Sequence, residues 1–219
     1  MTSELFYSLH PKLTRSLKKF ISDYEAELTP AVFASFLDQL HEELGKASAE
    51  LAKAPSGPAR ARLLHSFIET EIAAGANIEV SCKKGCSACC HMEVEVTNYE
   101  AEILNEVVRN GYAIDRKRLQ AQSQRTLQDK AWREGMRNSN NPCVFLDGEG
   151  SCGIYENRPV MCRRHSVTSP AKHCETLDAT IVIRYFPKVD LWISAANEDV
   201  ELTIGPMAKM LEMKLSSVK

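Results

Sequence analysis

The cysteines are the residues of this chain whose type and spacing could do chemistry. Four of the eight fall within nine residues, in the pattern Cys82-x3-Cys86-x2-Cys89-Cys90. Thiolate sulfur is a soft ligand that suits iron–sulfur clusters, zinc and copper(I). Short gaps let one loop turn several sulfurs toward a common centre. Because the last two cysteines are adjacent, their side chains tend to diverge, and we expect only one of them to bind at that centre.

The other cysteines are spread more widely, with eight, nine and eleven residues between them. Turn-forming residues precede the first two, and turns expose backbone N–H groups that can hydrogen-bond thiolates. We therefore predict that the metal ligands come from the full set of cysteines: Cys82, Cys86, Cys89, Cys90, Cys143, Cys152, Cys162 and Cys174.

Basic side chains and histidines adjoin these cysteines. Positive charge would lower the cost of gathering thiolates, and four residues could supply it or could be ordinary surface charges: Lys83, Lys84, Arg163 and Arg164. Three histidines are further candidate ligands, although a histidine beside such a cluster more often supports the ligands than joins them. They are His165, which we rank first, His91 and His173.

Composition limits the setting in which these cysteines act. The net charge is −2 with a pI near 6.3, so a nucleic acid is not expected as a partner. No run approaches the roughly 18 apolar residues that a membrane span needs. Residues 1–13 lack a basic stretch followed by an apolar one, so we expect a cytoplasmic protein. In that reducing setting clustered cysteines favour metal or redox chemistry, with disulfides as the alternative.

The first 75 residues contain no cysteine and are expected to form helices. Apolar residues recur at three- and four-residue spacing over 13–28, 32–44 and 63–72. Thr29-Pro30 is typical of a helix start, Pro55–Pro58 of a loop, and Gly75 of a helix end. These patterns predict a small helical bundle.

Helix signals also frame the cysteine-rich region. Thr97-x-x-Glu100 is a capping box, and it predicts a helix that closes at Gly111. A more polar helix is predicted from Asp115 to Asn138. A short hairpin is expected around the turn Asp147–Gly150.

Prolines predict two further helices. Arg158-Pro159 leads into a short helix that carries Cys162, and Gly205-Pro206 precedes a terminal helix. The predicted fold is mainly α: a helical N-terminal bundle, residues 1–76, packed on a cysteine-rich metal-binding domain, residues 77–176, with a short β-hairpin. Residues 177–219 are expected to form a C-terminal extension.

The cysteine pattern resembles the YkgJ-type cysteine-cluster family, whose members are taken to chelate zinc or iron. The resemblance covers residues 78–175 and all eight cysteines, and it rests on the first cluster together with Pro142-Cys143, Gly150-x-Cys152-x-Ile154-Tyr155-x-x-Arg158-Pro159-x-x-Cys162-Arg163 and Cys174. It implies metal binding more firmly than any reaction. A related pattern occurs in flagellin lysine N-methylases, which are thought to carry an iron–sulfur cluster.

We therefore predict a metal-binding protein, with a [4Fe–4S] cluster as the favoured cofactor. Its ligands would be Cys82, Cys86, one of Cys89 and Cys90, and the distant Cys162. The remaining cysteines could form a second site, such as a zinc site. The protein would act in redox chemistry, or hold metal for a redox or client protein.

Two alternatives stay open. The first is a structural zinc protein that serves as an interaction module. The second is a metal-dependent enzyme that uses S-adenosylmethionine, because the first three cysteines have the spacing of that class. Ala88 stands where such enzymes usually have an aromatic residue, and no alternation of strands and helices is visible. No residue is predicted to be catalytic.

Overall fold

A computed structural model describes residues 1–83, 85–92, 94–125, 141–176 and 178–217. These residues are mainly helical, as predicted, and they contain a two-stranded antiparallel sheet. The helices in chain order are α1 (Ser3–Leu9), α2 (Arg15–Glu27), α3 (Pro30–Leu51), α4 (Pro58–Ala74), α5 (Asn98–Arg109), α6 (Arg116–Ser123), α7 (Val160–Arg164), α8 (Pro187–Asn197) and α9 (Met207–Ser216). None of the helices in this part of the chain combines the length and apolar character that crossing a membrane requires.

The chain separates into two compact units. Residues 1–74 and 185–202 form the first, and residues 75–184 and 203–219 form the second. The first unit contains α1 to α4 together with α8, which packs against α2, α3 and α4. Its core is apolar and includes Phe6, Leu17, Ile21, Leu37, Leu44, Ile68 and Val189.

Local signals explain where the helices of the first unit begin. The hydroxyls of Thr2 and Thr14 accept hydrogen bonds from backbone N–H groups in the first turns of α1 and α2. Pro30 occupies the first turn of α3, directly after Thr29, as the sequence predicted. Positions 55–57 lie between α3 and α4, so the predicted loop is confirmed.

The second unit holds the cysteines. Strand β1 (Glu95–Thr97) pairs antiparallel with β2 (Ile204–Pro206), and Val96 lies opposite Gly205. The capping box is present, since Thr97 and Glu100 exchange bonds at the start of α5. Helix α9 packs against α5 and α6. The core between these elements is apolar and includes Val96, Leu104, Leu119, Val144, Phe145 and Leu211.

Two predicted elements differ in extent from the structure. The turn at 147–150 forms, but its flanks meet in a single antiparallel bridge between Leu146 and Cys152, and the paired strands lie elsewhere. Helix α6 starts after Asp115 as predicted and ends at Ser123. The side chains of Gln122 and Arg125 both donate to Asn141 Oδ1, which fixes this end of the helix. The predicted continuation over 126–138 lies outside the described residues.

Candidate metal centre

Backbone hydrogen bonds place the first cysteine beside a distant segment. Ser81 N donates to Val167 O at 2.9 Å, and Val167 N donates to Cys82 Sγ at 3.3 Å. Gly85, with φ of +88°, allows the turn that leads to Cys86. A backbone N–H directed at a thiol stabilises its ionised form, which is the form that binds metal.

The adjacent pair Cys89 and Cys90 lies in the short 3₁₀ helix Ala88–His91. The Cys90 thiol donates a hydrogen bond to the Cys89 sulfur, which lowers the pKa of Cys89 to about 7. The same bond, together with burial, raises the pKa of Cys90. The two thiols are therefore not equivalent: Cys90 acts as the hydrogen-bond donor and Cys89 as the acceptor.

A second cysteine segment is tied directly to this pair. Cys143 N donates to Cys90 O at 2.8 Å. Helix α6 holds the segment from its other side, because Arg118 Nη1 donates to Cys143 O at 3.3 Å and Gln122 Nε2 donates to Pro142 O at 3.0 Å. Burial raises the pKa of the Cys143 thiol to about 11.

The turn between Cys143 and Cys152 is held by its own side chains. Asp147 Oδ1 accepts from Ser151 N at 2.7 Å and from Glu149 N at 3.0 Å. Beyond the turn, Tyr112 packs over Gly153, and both donate to Phe145 O. Burial raises the pKa of Cys152.

Cys162 lies in α7, one turn after the Arg158-Pro159 dipeptide, as predicted. Burial raises the pKa of its thiol well above the usual range, and the charges of Cys143, Cys89 and Cys152 raise it further. Cys162 therefore lies near thiols from both other cysteine segments.

Thiols from separate segments thus gather around Cys89. Its charge raises the pKa of Cys82, Cys143, Cys152 and Cys162. Cys89 and Cys162, 73 positions apart in sequence, are therefore close enough in space for the charge of one to act on the other. This convergence is what a shared metal centre requires, while binding itself stays a prediction.

Arg158 is the cation that acts on most of these thiols, while Arg118 acts on Cys143. The charge of Arg158 lowers the pKa of Cys82, Cys152 and Cys162 against the effect of burial, and it also lowers the pKa of Cys89. The guanidinium lies 3.6 Å from the centroid of the Tyr155 ring, and its Nε donates to the Tyr155 carbonyl at 3.1 Å. A positive charge held in this way offsets the repulsion between gathered thiolates.

Two of the four basic residues named from sequence, Arg163 and Arg164, have contacts other than the expected ones with thiols. Arg163 Nε donates to Arg158 O at 2.6 Å, so Arg163 supports the residue that acts on the thiols. The charge of Arg164 and burial lower the pKa of His165, with burial the larger cause. Lys84 is outside the described residues.

The remaining candidate ligands lie at the border of the cluster. Cys174 is in the 3₁₀ helix Ala171–Glu175, which contacts the 3₁₀ helix of Cys89 and Cys90. His91 Nδ1 is 3.2 Å from Ser87 O, and His173 Nδ1 is 3.1 Å from Thr180 O. A carbonyl only accepts, so each ring carries its proton on Nδ1 and leaves the Nε2 lone pair for a metal.

The donor chemistry fits a soft metal, although the thiols are not closed into a cage. None of the eight cysteines is joined in a disulfide in this structure, so the disulfide alternative is not realised. Across the described residues, no three or more His, Cys, Asp or Glu side chains are already arranged to hold an ion. Metal binding would therefore draw these neighbouring thiols inward, which couples binding to the folding of this region.

Sequence reasoning named the cysteines but not the residues that position them. The Tyr112 ring against Gly153, Arg118 on the Cys143 carbonyl, and Glu100 on α7 are all contacts between segments far apart in sequence. From the Arg158-Pro159 dipeptide the sequence predicted only the start of a helix. The position of Arg158 between Cys152 and Cys162 is the signal that could have indicated a cation acting on the thiols.

A comparison with known families points to the same region of the chain. Residues 81–180 match the family model CxxCxxCC, described as a "putative zinc- or iron-chelating domain". All eight cysteines fall within this span. No curated protein and no solved structure matches the chain.

Proposed function

We propose that the protein holds a [4Fe–4S] cluster, since residues 81–180 match the model of a family described as a zinc- or iron-chelating domain. The observation that carries the proposal is the convergence of thiols around Cys89, the most distant of which, Cys162, is 73 positions away in sequence. Iron–sulfur clusters are held by four cysteine thiolates. The proposed role is redox chemistry or metal handling in the cytoplasm, with a redox or client protein as partner.

The proposed cluster ligands are Cys82, Cys86, Cys89 and Cys162. The charge of Cys86 acts on Cys82, and the charge of Cys89 acts on both Cys82 and Cys162. Arg158 would offset part of their combined negative charge. A bound cluster of this type supplies reversible one-electron transfer, while the chain supplies the thiolates, the Val167 N–H on Cys82 and the nearby cation.

The remaining cysteines are proposed to form a second site for zinc. Cys90 is a neighbour of Cys143 and Cys152, whose charges raise its pKa. Cys174 lies in the 3₁₀ helix that contacts the helix of Cys90. Four thiolates of this kind complete a tetrahedral zinc site.

A structural zinc protein is the second candidate function, and the histidines favour it. His91 and His173 both have Nδ1 bonded to a backbone carbonyl, which leaves Nε2 ready to bind. Mixed cysteine and histidine ligation is typical of structural zinc. In that case the domain would serve as an interaction module, and zinc would contribute about 10–16 kcal/mol to its folding.

Metal analysis of the full chain purified without oxygen tests the proposal. We expect brown protein that contains iron and acid-labile sulfide in near-equal amounts. Cys89→Ser and Cys90→Ser form a matched pair, because the residues are adjacent and the substitution is the same. Cys89→Ser should lose the sulfide and the visible absorbance, whereas Cys90→Ser should keep both.

Other outcomes contradict specific parts of the proposal. Colourless protein with stoichiometric zinc and no sulfide would replace the cluster with the structural zinc site. Loss of the cluster from Cys90→Ser but not from Cys89→Ser would exchange the two roles. Protein that binds neither metal after reconstitution with iron and sulfide, or with zinc, would refute metal binding altogether.

A further inference from the structure

One buried carboxylate joins the starts of two helices in the second unit. Glu100 Oε2 accepts from Thr97 N at 2.9 Å and from Thr97 Oγ1 at 3.1 Å, which completes the capping box of α5. Its other oxygen, Oε1, accepts from Val160 N at 2.7 Å, and Val160 is the first residue of α7. Only 4% of Glu100 is exposed, so these bonds form with little competition from water.

We propose that Glu100 is a positioning residue for the metal centre, because it fixes the helix that carries Cys162. The inference rests on the proposed function, since it assigns Cys162 to the ligand set. Cys162 lies two residues after Val160, within the same turn of the helix. Moving the start of α7 would therefore move the Cys162 sulfur away from the thiols around Cys89.

The shortness of α7 makes an outside anchor necessary. The helix has five residues, and isolated helices far longer than this are marginal in water. Cys162 N and Arg163 N both donate to Pro159 O, at 2.9 and 3.0 Å, at the start of the helix, and the N-cap residue Pro159 has no side chain that could accept a further bond. Anchoring from Glu100 is therefore expected to decide where α7 sits.

The chemistry of the carboxylate suits this role. Its two oxygens accept from the positive N-terminal ends of two helices at once. A glutamine has the same size but one acceptor oxygen, and its NH2 group would face an N–H donor. Since glutamine still completes a capping box, Glu100→Gln should keep α5 capped and lose the bond to Val160.

Cobalt(II) binding by the full chain without oxygen tests this role. Absorbance from sulfur-to-cobalt charge transfer reports how many thiolates bind, and competition with a chelator gives the affinity. For Glu100→Gln we expect about 10-fold weaker binding and lower charge-transfer intensity per cobalt, as is typical when a residue that orients a ligand is changed. Glu102→Gln is the matched control, because its carboxylate lies two residues away in α5 and pairs with Lys214 at 2.5 Å.

A double-mutant comparison separates positioning from general damage. In a Cys162→Ser background, Glu100→Gln should cause no further loss of affinity or intensity. Equal losses with and without Cys162 would overturn the proposal, as would unchanged binding by Glu100→Gln. If circular dichroism shows that Glu100→Gln does not fold, Val160→Pro is used instead, because it removes the N–H that donates to Glu100. Val160→Pro should give the same loss of charge-transfer absorbance. Cobalt binding by Val160→Pro at the wild-type level would also overturn the proposal. A wild-type chain that binds neither cobalt nor, after reconstitution with iron and sulfide, a cluster would refute the proposed function itself.

Discussion

Replacing Gly153 by alanine should destabilise the turn that joins the half-buried Cys143 and Cys152, directly after which Gly153 lies. A Cβ at this position would lie 1.8 Å from Tyr112 Oη and 2.5 Å from Cζ of the same ring. These distances are far below contact, so the tyrosine must leave its place. Gly153 has no positive φ, and the cost therefore comes from the clash alone.

The size of the effect follows from what Tyr112 gives up. Its hydroxyl donates to Phe145 O at 3.2 Å, and its ring lies 5.9 Å from the Phe145 ring. Losing the hydrogen bond costs about 1 kcal/mol, and losing an aromatic pair costs about 0.5–1.5 kcal/mol. Alanine also restricts the unfolded chain more than glycine does, which stabilises the folded state by about 0.4–1 kcal/mol. With some strain from overpacking, the net loss should be about 1–3 kcal/mol.

Hydrogen–deuterium exchange of the full chain, at fixed metal content, is the suitable assay. Peptides from residues 141–157 should exchange about 5- to 150-fold faster in Gly153→Ala, since 1.4 kcal/mol is a tenfold change. Peptides from α3 in the first unit should not change. Gly148→Ala is the matched control, because its Cβ would meet nothing within 4 Å. If Gly153→Ala exchanged no faster than Gly148→Ala, the packing of Tyr112 over Gly153 would be refuted.

Two further predictions concern charged groups. Burial and the charge of His41 lower the pKa of His10 below 6.5. The unfolded chain therefore binds more protons at this position, and the first unit should lose stability as the pH falls through and below 6.5. His10→Gln should flatten this part of the plot of unfolding free energy, measured with urea, against pH, and an unchanged plot would contradict the lowered pKa of His10. Arg158→Gln should weaken cobalt(II) binding about 10-fold, and Arg158→Lys should recover part of the affinity. Arg164 is the control, because its charge acts on His165, and Arg164→Gln should bind cobalt nearly as the wild type does. Equal losses of affinity in Arg158→Gln and Arg164→Gln would show a nonspecific charge effect.

Helix boundaries were predictable because they are set by neighbouring residues. The capping box of Thr97 and Glu100 spans four positions, and Pro30 and Gly111 act on the turn in which they lie. Such signals are complete within a short window of sequence. The helices α2 to α5 could therefore be located from periodicity and end signals alone.

Pairings between distant segments could not be predicted in the same way. The three-residue strand Glu95–Thr97 carries too few positions for an alternating pattern, and its partner begins at Ile204. The hairpin pattern around 147–150 was stronger, but the turn brings only Leu146 and Cys152 into a bridge. Nothing in the sequence of Pro187–Asn197 indicates that it packs on α3 and α4.

The candidate site shows the same division between donors and scaffold. Cysteine type and spacing predicted which residues are candidate ligands, because sulfur is a soft ligand and clustered cysteines are typical of metal sites. Their supports are a carboxylate, a cation and a tyrosine with no motif of their own, namely Glu100, Arg158 and Tyr112. Each acts through a contact that only the folded chain creates.

The way the cysteine segments are joined also bears on how a metal would act. Cys143 is bonded to Cys90 through the backbone, and Cys82 accepts from Val167, so the segments are neighbours before any ion binds. Cys143 and Cys152 also pack against the apolar core of the second unit. Most of the conformational entropy that is lost in bringing distant thiols together is therefore lost when the chain folds, not when the metal binds. An ion that binds here has to draw neighbouring thiols inward and to offset the repulsion between the thiolates and their desolvation, and the charge of Arg158 reduces the repulsion.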